Sequence, residues 1–366
     1  MTVIIFIAVL LVLIVGHEFG HFATAKLLKM RVLEFGVGFP PKIFGKRFGG
    51  GETEYSINWL PLGGFVRLFG EDPKEAGNEP GAFVGKPAWQ QALVLFAGPF
   101  ANLVLAFALS SLAFTIGAPA ILEAGDASAH VENAYVIVGE VLPASPAFES
   151  GIVPGDRVEA IEVEGIRRSI TTPEEIAEVV EGASGGVTVS IRSRDGVARD
   201  VVVTPAAGLI EADPERQAIG VATALVGVVS YPLPVAVFKG LEATGDSVVF
   251  VAVSLGSLIA SAAAFSADLS NVAGPVGIAS LTGEAARFGF GALLSFAALL
   301  SVNLALINFL PFPALDGGRL LFLGLEALTR RKIPHGVASA LNTAGFALLI
   351  ALMVGVTVGD VSRLLG

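Results

Sequence analysis

Four stretches of the chain run without a charge for long enough to approach or exceed the roughly 20 helical residues that a bilayer crossing takes. They lie at Thr2 to Gly16, extended to Ala25 by a short polar cluster, and at Pro87 to Leu122, Phe288 to Leu315 and Gly336 to Gly359. The pattern predicts transmembrane helices at 1–25, 87–122, 288–315 and 336–359. Gln217 to Phe238 and Ser247 to Ala267 are uncharged as well, but Pro232 and Pro234 interrupt the first and the second has few large apolar residues. One extra crossing would put the two basic loops described below on opposite sides. The pattern therefore favours a surface or half-inserted helix at 234–266, although a pair of crossings would keep the same parity.

Between these stretches the pattern changes period. Residues 26–86 are rich in Gly, Pro and aromatics, with alternation at Tyr55, Ile57 and Trp59, which predicts short strands and tight turns in a membrane-associated β-hairpin. Residues 134–205 predict a small inserted α+β domain, with strands at "YVIVGEVL", "DRVEAIEVEG", "VTVSIRS" and "RDVVVTP". One helix in it carries its own start signal: Thr172 as cap, Pro173 in the first turn and Glu175 completing a capping box ahead of Ile176, Val179 and Val180.

Composition agrees with a membrane protein. Of the 366 residues, 53% are hydrophobic and 15% charged, with a mean hydropathy of +0.74, outside the range of soluble globular domains. The first apolar stretch has no basic residue before it and no clear cleavage site after it, so it is expected to be retained rather than removed as a signal peptide. There are no cysteines, so any metal must be held by His, Asp or Glu. The net charge of −10 is unevenly spread. Lys26 to Arg47 is strongly basic, as is the loop with Arg319, Arg330, Arg331 and Lys332, whereas Gly117 to Tyr231 is acidic. The basic loops are expected to face the cytoplasm, with the inserted domain and both termini outside a plasma membrane.

The polar cluster is "GHEFGH". His17 and His21 are four apart and share one helix face, the spacing of two zinc ligands, and Glu18 beside them can act as base towards a water. Polar residues at a span's end can also merely reach for the interface, but two of the chain's four histidines fall here. The best third ligand is Asp316 in "INFLPFPALDGGR", at the end of the third span and on the same predicted side; an ordinary interfacial turn is the plain alternative. Pro311 and Pro313 would break the helix just before it and free backbone groups near the metal. In the hairpin, "PLGGFVRL" could offer a strand edge to an unwound substrate, with Gly63, Gly64 and Phe65 at the contact.

Together with "AGPFAN" (Ala97 to Asn102) and "GPVGI" (Gly274 to Ile278), these motifs resemble the site-2 protease family of zinc intramembrane proteases, in the RseP-like branch. "VLPASPAFESGIVPGDRVEAIE" is similar to that branch's PDZ signature, and the length here accommodates one such domain. The resemblance implies one Zn²⁺ held by His17, His21 and Asp316, with Glu18 as catalytic base and Asn308 helping to bind substrate or the developing oxyanion. Asn102 is either a packing hydrogen bond or a residue near the site. The implied activity is endoproteolysis of single-span membrane proteins, such as membrane-anchored regulators, as the second cut of a regulated sequence. A peptide or chain terminus would bind the PDZ-like domain, and no nucleic acid is expected. The competing reading is a membrane-anchored PDZ scaffold whose zinc is structural. Glu18 argues against it, because a structural site needs no acid beside its ligands.

Overall fold

In the computed structural model, residues 1–48, 50–71, 79, 81–122, 129–183, 185–193, 196–210, 213–264 and 272–365 are described. The chain folds as two compact units: Met1–Ala113 with Ala236–Gly366, and Phe114–Val235 inserted between them.

The first unit is helical around a small sheet. Helix α1 spans Thr2–Leu27 and is apolar on every side, yet its buried positions Leu13, His17, Gly20, His21 and Ala25 form one stripe. Helix α2, Ala88–Ile116, packs antiparallel to it. A Cβ on Gly20 would strike the Ala97 carbonyl, and one on Gly16 would sit 2.9 Å from Leu105, so these glycines allow the two backbones to approach.

The strands between these helices are wider than a simple hairpin. Strand β1, Val32–Arg47, and strand β2, Glu54–Leu68, each bend midway. Residues 34–37 partner 64–67 on one side and 54–57 on the other, while 54–57 also partner 44–47. The result is four segments abreast, with 64–67 at an edge. Thr53 and Glu34 anchor the base of this sheet: Thr53 donates to the Val32 carbonyl at 2.7 Å, and Ser56 donates to Glu34 at 2.7 Å.

The inserted unit holds a seven-stranded sheet. Its strands are β3 Ala118–Ile121, β4 His130–Val141, β5 Arg157–Val163, β6 Ile166–Ser169, β7 Val187–Arg192, β8 Ala198–Val203 and β9 Val221–Ser230. Their order is β3-β9-β4-β5-β7-β8, with β6 paired to β5. A one-turn helix α3, Pro146–Glu149, and helix α4, Pro173–Glu181, pack on the sheet, and α4 forms the capping box of Thr172 and Glu175. Val136, Ile161, Val189, Ile191 and Ile176 fill the core. The unit is longer than 134–205 at both ends. Residues 221–230, inside one of the apolar stretches weighed as a span, form a strand.

The remaining helices return to the first unit: α5 Leu233–Ala263, α6 Pro275–Arg287, α7 Phe290–Phe309, α8 Asp316–Thr329 and α9 His335–Leu365. The helix expected at 234–266 is α5; positions 265 and 266 lie outside the described residues. Among the described residues five helices, α1, α2, α5, α7 and α9, are long and apolar enough to cross a membrane, one more than the four predicted.

Contacts give their directions. Gly283 of α6 abuts Thr2 at the start of α1, whereas Asp316 just beyond α7 reaches His17, so α7 runs parallel to α1. Helix α9 runs back: Gly345 abuts Pro313, and Asp360 accepts hydrogen bonds from the backbone N–H groups of Gly274 and Gly277 at 3.2 and 2.8 Å. Helix α5 lies along α2 and α7, with Val251 against Ala106, Ala298 and Val302.

Candidate metal centre

A charged or polar group in an apolar helix is costly unless it has a partner. His17 and His21 on α1 are only 8% and 9% exposed, and both turn Nε2 towards Asp316. Asp316 Oδ2 lies 3.1 Å from His17 Nε2 and 3.2 Å from His21 Nε2, and the two Nε2 atoms are 3.2 Å apart. These three atoms form a nearly equilateral triangle. A tetrahedral zinc with ligand bonds near 2.0–2.1 Å requires edges of roughly 3.3 Å, so two imidazoles and one carboxylate fit the ion in both donor type and spacing.

The rings are held from behind by α2. His21 Nδ1 is 2.8 Å from the Val94 carbonyl oxygen, which can only accept, so Nδ1 carries the proton and Nε2 has its lone pair free for a metal. Pro99 deprives α2 of one backbone donor within two turns of Val94. Gly98 matters more directly, because a Cβ there would overlap the His21 ring. His17 Nδ1 faces the side-chain amide of Asn102 at 3.2 Å.

Asp316 arrives from a tightly folded turn. Residues Leu310 to Leu315 follow α7, Ala314 adopts φ +77°, and Asp316 opens α8. Side chains at Gly317 and Gly318 would collide with the carbonyls of Phe309, Leu310 and Phe312, so the two glycines let α8 start against this turn.

A cavity of 620 Å³ opens beside the ligands. Glu18, Asn308, Gly63, Gly64 and Phe65 line it with His17, His21 and Asp316. A Cβ on Gly64 would lie 2.9 Å from Glu18 Cγ, which shows how closely the edge segment of the sheet passes the glutamate. Asn308 donates one amide hydrogen to the Leu304 carbonyl at 2.9 Å.

Pro311, Pro313 and Asn102 do not line this cavity. Pro311 and Pro313 shape the turn and are absent from the cavity lining, and the Pro313 carbonyl abuts Gly345 of α9. Asn102 is fully buried behind His17 and not on the substrate side. The sequence reading overlooked Val94 and Gly98, although Gly98 lies inside "AGPFAN", and it overlooked the Glu71–Arg319 ion pair, 2.5 Å long, on the cavity wall.

The model of peptidase family M50 matches residues 5–352, nearly the whole chain. The chain belongs to peptidase family M50, the site-2 protease family. Within the family it is 36% identical over 349 residues to an inferred zinc metalloprotease of Clostridium perfringens, covering 95% of each chain. It is 30% identical over 444 residues to the zinc metalloprotease RasP of Oceanobacillus iheyensis, covering 99% of each. It is 32% identical over 370 residues to an inferred zinc metalloprotease of Nostoc, covering 100% of this chain and 97% of that one. The protein is thus a zinc metalloendopeptidase, and its long apolar helices accord with an enzyme embedded in a membrane.

Proposed function

We propose that this enzyme cuts single-span membrane proteins within or near the bilayer, as the second cut in regulated intramembrane proteolysis. The observation that carries the reading is the placement of His17, His21, Asp316 and Glu18 around one cavity between helices apolar enough for a membrane.

Zinc, held by His17, His21 and Asp316, would supply the Lewis acid that polarises the scissile carbonyl and acidifies water. Glu18 takes a proton from the attacking water as oxygen bonds to the carbonyl carbon, then delivers it to the leaving amine as the C–N bond breaks. Asn308, on the same cavity, is placed to donate its remaining amide hydrogen to substrate or to the developing oxyanion. A helical substrate hides its amides in its own hydrogen bonds and has to unwind first. Residues 64–67 form an edge segment beside Glu18, where β-addition would hold the unwound strand, and Gly63 and Gly64 keep that approach open.

The proposed topology places both termini and the inserted unit outside a plasma membrane, with the zinc site towards the cytoplasm. The parallel course of α1 and α7 supports it, since α1, α2, α7 and α9 alternate in direction as four crossings require. On this reading α5 is surface or half-inserted. The inserted unit would act as a PDZ-like filter: a groove of about 330 Å³ runs between Ile176 and Val180 of α4 and the start of β9 at Val221, and it suits a peptide or chain terminus. A scaffold with a structural zinc is disfavoured by Glu18, which shares the open cavity with the ligands.

Reconstitution with a panel of single-span substrates tests the reading. Substrates already trimmed outside the membrane should be cleaved, those with bulky ectodomains should resist, and a zinc chelator should stop the reaction. Equal cleavage of trimmed and intact substrates would remove the filter from the account.

A further inference from the structure

We infer that Asn102 is a positioning residue that fixes the tautomer of His17, by presenting its side-chain oxygen to a protonated Nδ1. The inference rests on the proposed ligand set of His17, His21 and Asp316. Asn102 has no exposure to solvent and its side-chain amide is 3.2 Å from His17 Nδ1. With Nδ2 facing the ring, Oδ1 is buried with no hydrogen-bond partner. A carboxamide exchanges these two ends by a half-turn about its last bond, so the ring decides which end it meets.

The ring's requirement follows from its other nitrogen. His17 Nε2 is the atom aimed at Asp316 and at His21 Nε2. A nitrogen that gives its lone pair to a metal carries no proton, so the single proton of a neutral imidazole sits on Nδ1. Nδ1 then needs an acceptor, and Oδ1 of Asn102 becomes that acceptor once the amide turns. His21 shows the same arrangement one turn along, with the Val94 carbonyl as acceptor at 2.8 Å. Val94, Gly98 and Asn102 are spaced by four along one face of α2, antiparallel to the His17 and His21 spacing on α1. One helix thus supplies both outer partners, a backbone carbonyl for one ligand and a side-chain carbonyl for the other.

Asn102 is also well anchored. Its own backbone carbonyl accepts from Ser301 Oγ at 2.8 Å, and Ser301 is fully buried. The side chain therefore projects from a fixed point towards the ring, as an orienting partner must.

The role separates an acceptor from mere bulk. In full-length protein in detergent, zinc affinity measured by competition with a chromogenic chelator should fall roughly 10–100-fold in Asn102→Leu, the usual cost of losing an outer partner. Asn102→Asp keeps an acceptor at both ends and should bind zinc at least as tightly as the wild type. With only four histidines in the chain, nitrogen-15 histidine spectra of the zinc-loaded wild type should show His17 protonated at Nδ1 and bonded to the metal through Nε2. Wild-type affinity in the Leu variant, or an Asp variant as weak as Leu, would overturn the inference, as would ligation through Nδ1 in the unmutated protein. A wild-type chain that binds no zinc would instead sink the ligand set itself.

Discussion

Glu18→Gln should leave zinc bound as in the wild type and slow cleavage of a trimmed single-span substrate by roughly 10²–10⁴-fold, the contribution of a positioned general base. The substitution keeps size and shape. The fit of residue 18 against Gly64 is therefore preserved, and the three groups that face the metal are untouched. What is lost is the ability to take a proton from water and return it to the leaving amine. Parallel measurement of zinc content and rate separates the two functions of the cavity. Cleavage at the wild-type rate with full zinc would show that another group moves the proton and that Glu18 has some other task.

Gly98→Val should cost the enzyme its zinc, although residue 98 holds no metal. The His21 ring occupies the space a side chain would take. It has little room to retreat, because Nδ1 is tied to the Val94 carbonyl and α1 already touches α2 through Gly20 and Ala97. Either the ring leaves its position or the helices separate, and both take Nε2 away from Asp316. Zinc affinity should fall by more than the roughly 10–100-fold that follows loss of an outer partner. Gly355→Val is the matched control, since a Cβ at Gly355 meets nothing within 4 Å. It should load zinc normally, and equal loading of both variants would refute the packing argument.

How far the site could be read from the chain depends on which atoms carry it. His17, Glu18 and His21 are legible because an interval of four on a helix fixes a shared face without further information. Asp316 is legible through charge asymmetry, which put its loop on the side where the first span ends. Val94 acts through a backbone carbonyl, and its side-chain identity carries no trace of that task. Gly98 could have been singled out inside "AGPFAN", but its purpose appears only when the antiparallel approach of α1 and α2 is known. Pro311 and Pro313 mark the break after α7 correctly, yet sequence spacing cannot tell whether a turn faces the cavity or the neighbouring helix α9.

The fold shows a similar division. Uninterrupted apolar runs at the four predicted spans correspond to α1, α2, α7 and α9, since length and hydropathy suffice for such helices, but the second helix stops at Ile116 and the end of its predicted span, Ala118–Ile121, forms strand β3 instead. The fifth long helix, α5, runs without a break from Leu233 to Ala263, in the region where charge asymmetry favoured a surface or half-inserted helix. In the sheet, each long strand bends and pairs twice, a register that depends on tertiary packing and that alternation alone does not encode.

The central claim is that one aspartate far along the chain completes a metal site begun by two histidines near its start. Zinc stoichiometry of purified full-length wild-type and Asp316→Ala protein tests this most directly. The account predicts one zinc per chain in the wild type and loss of most of it in the variant; full retention by Asp316→Ala would remove Asp316 from the site and contradict the account.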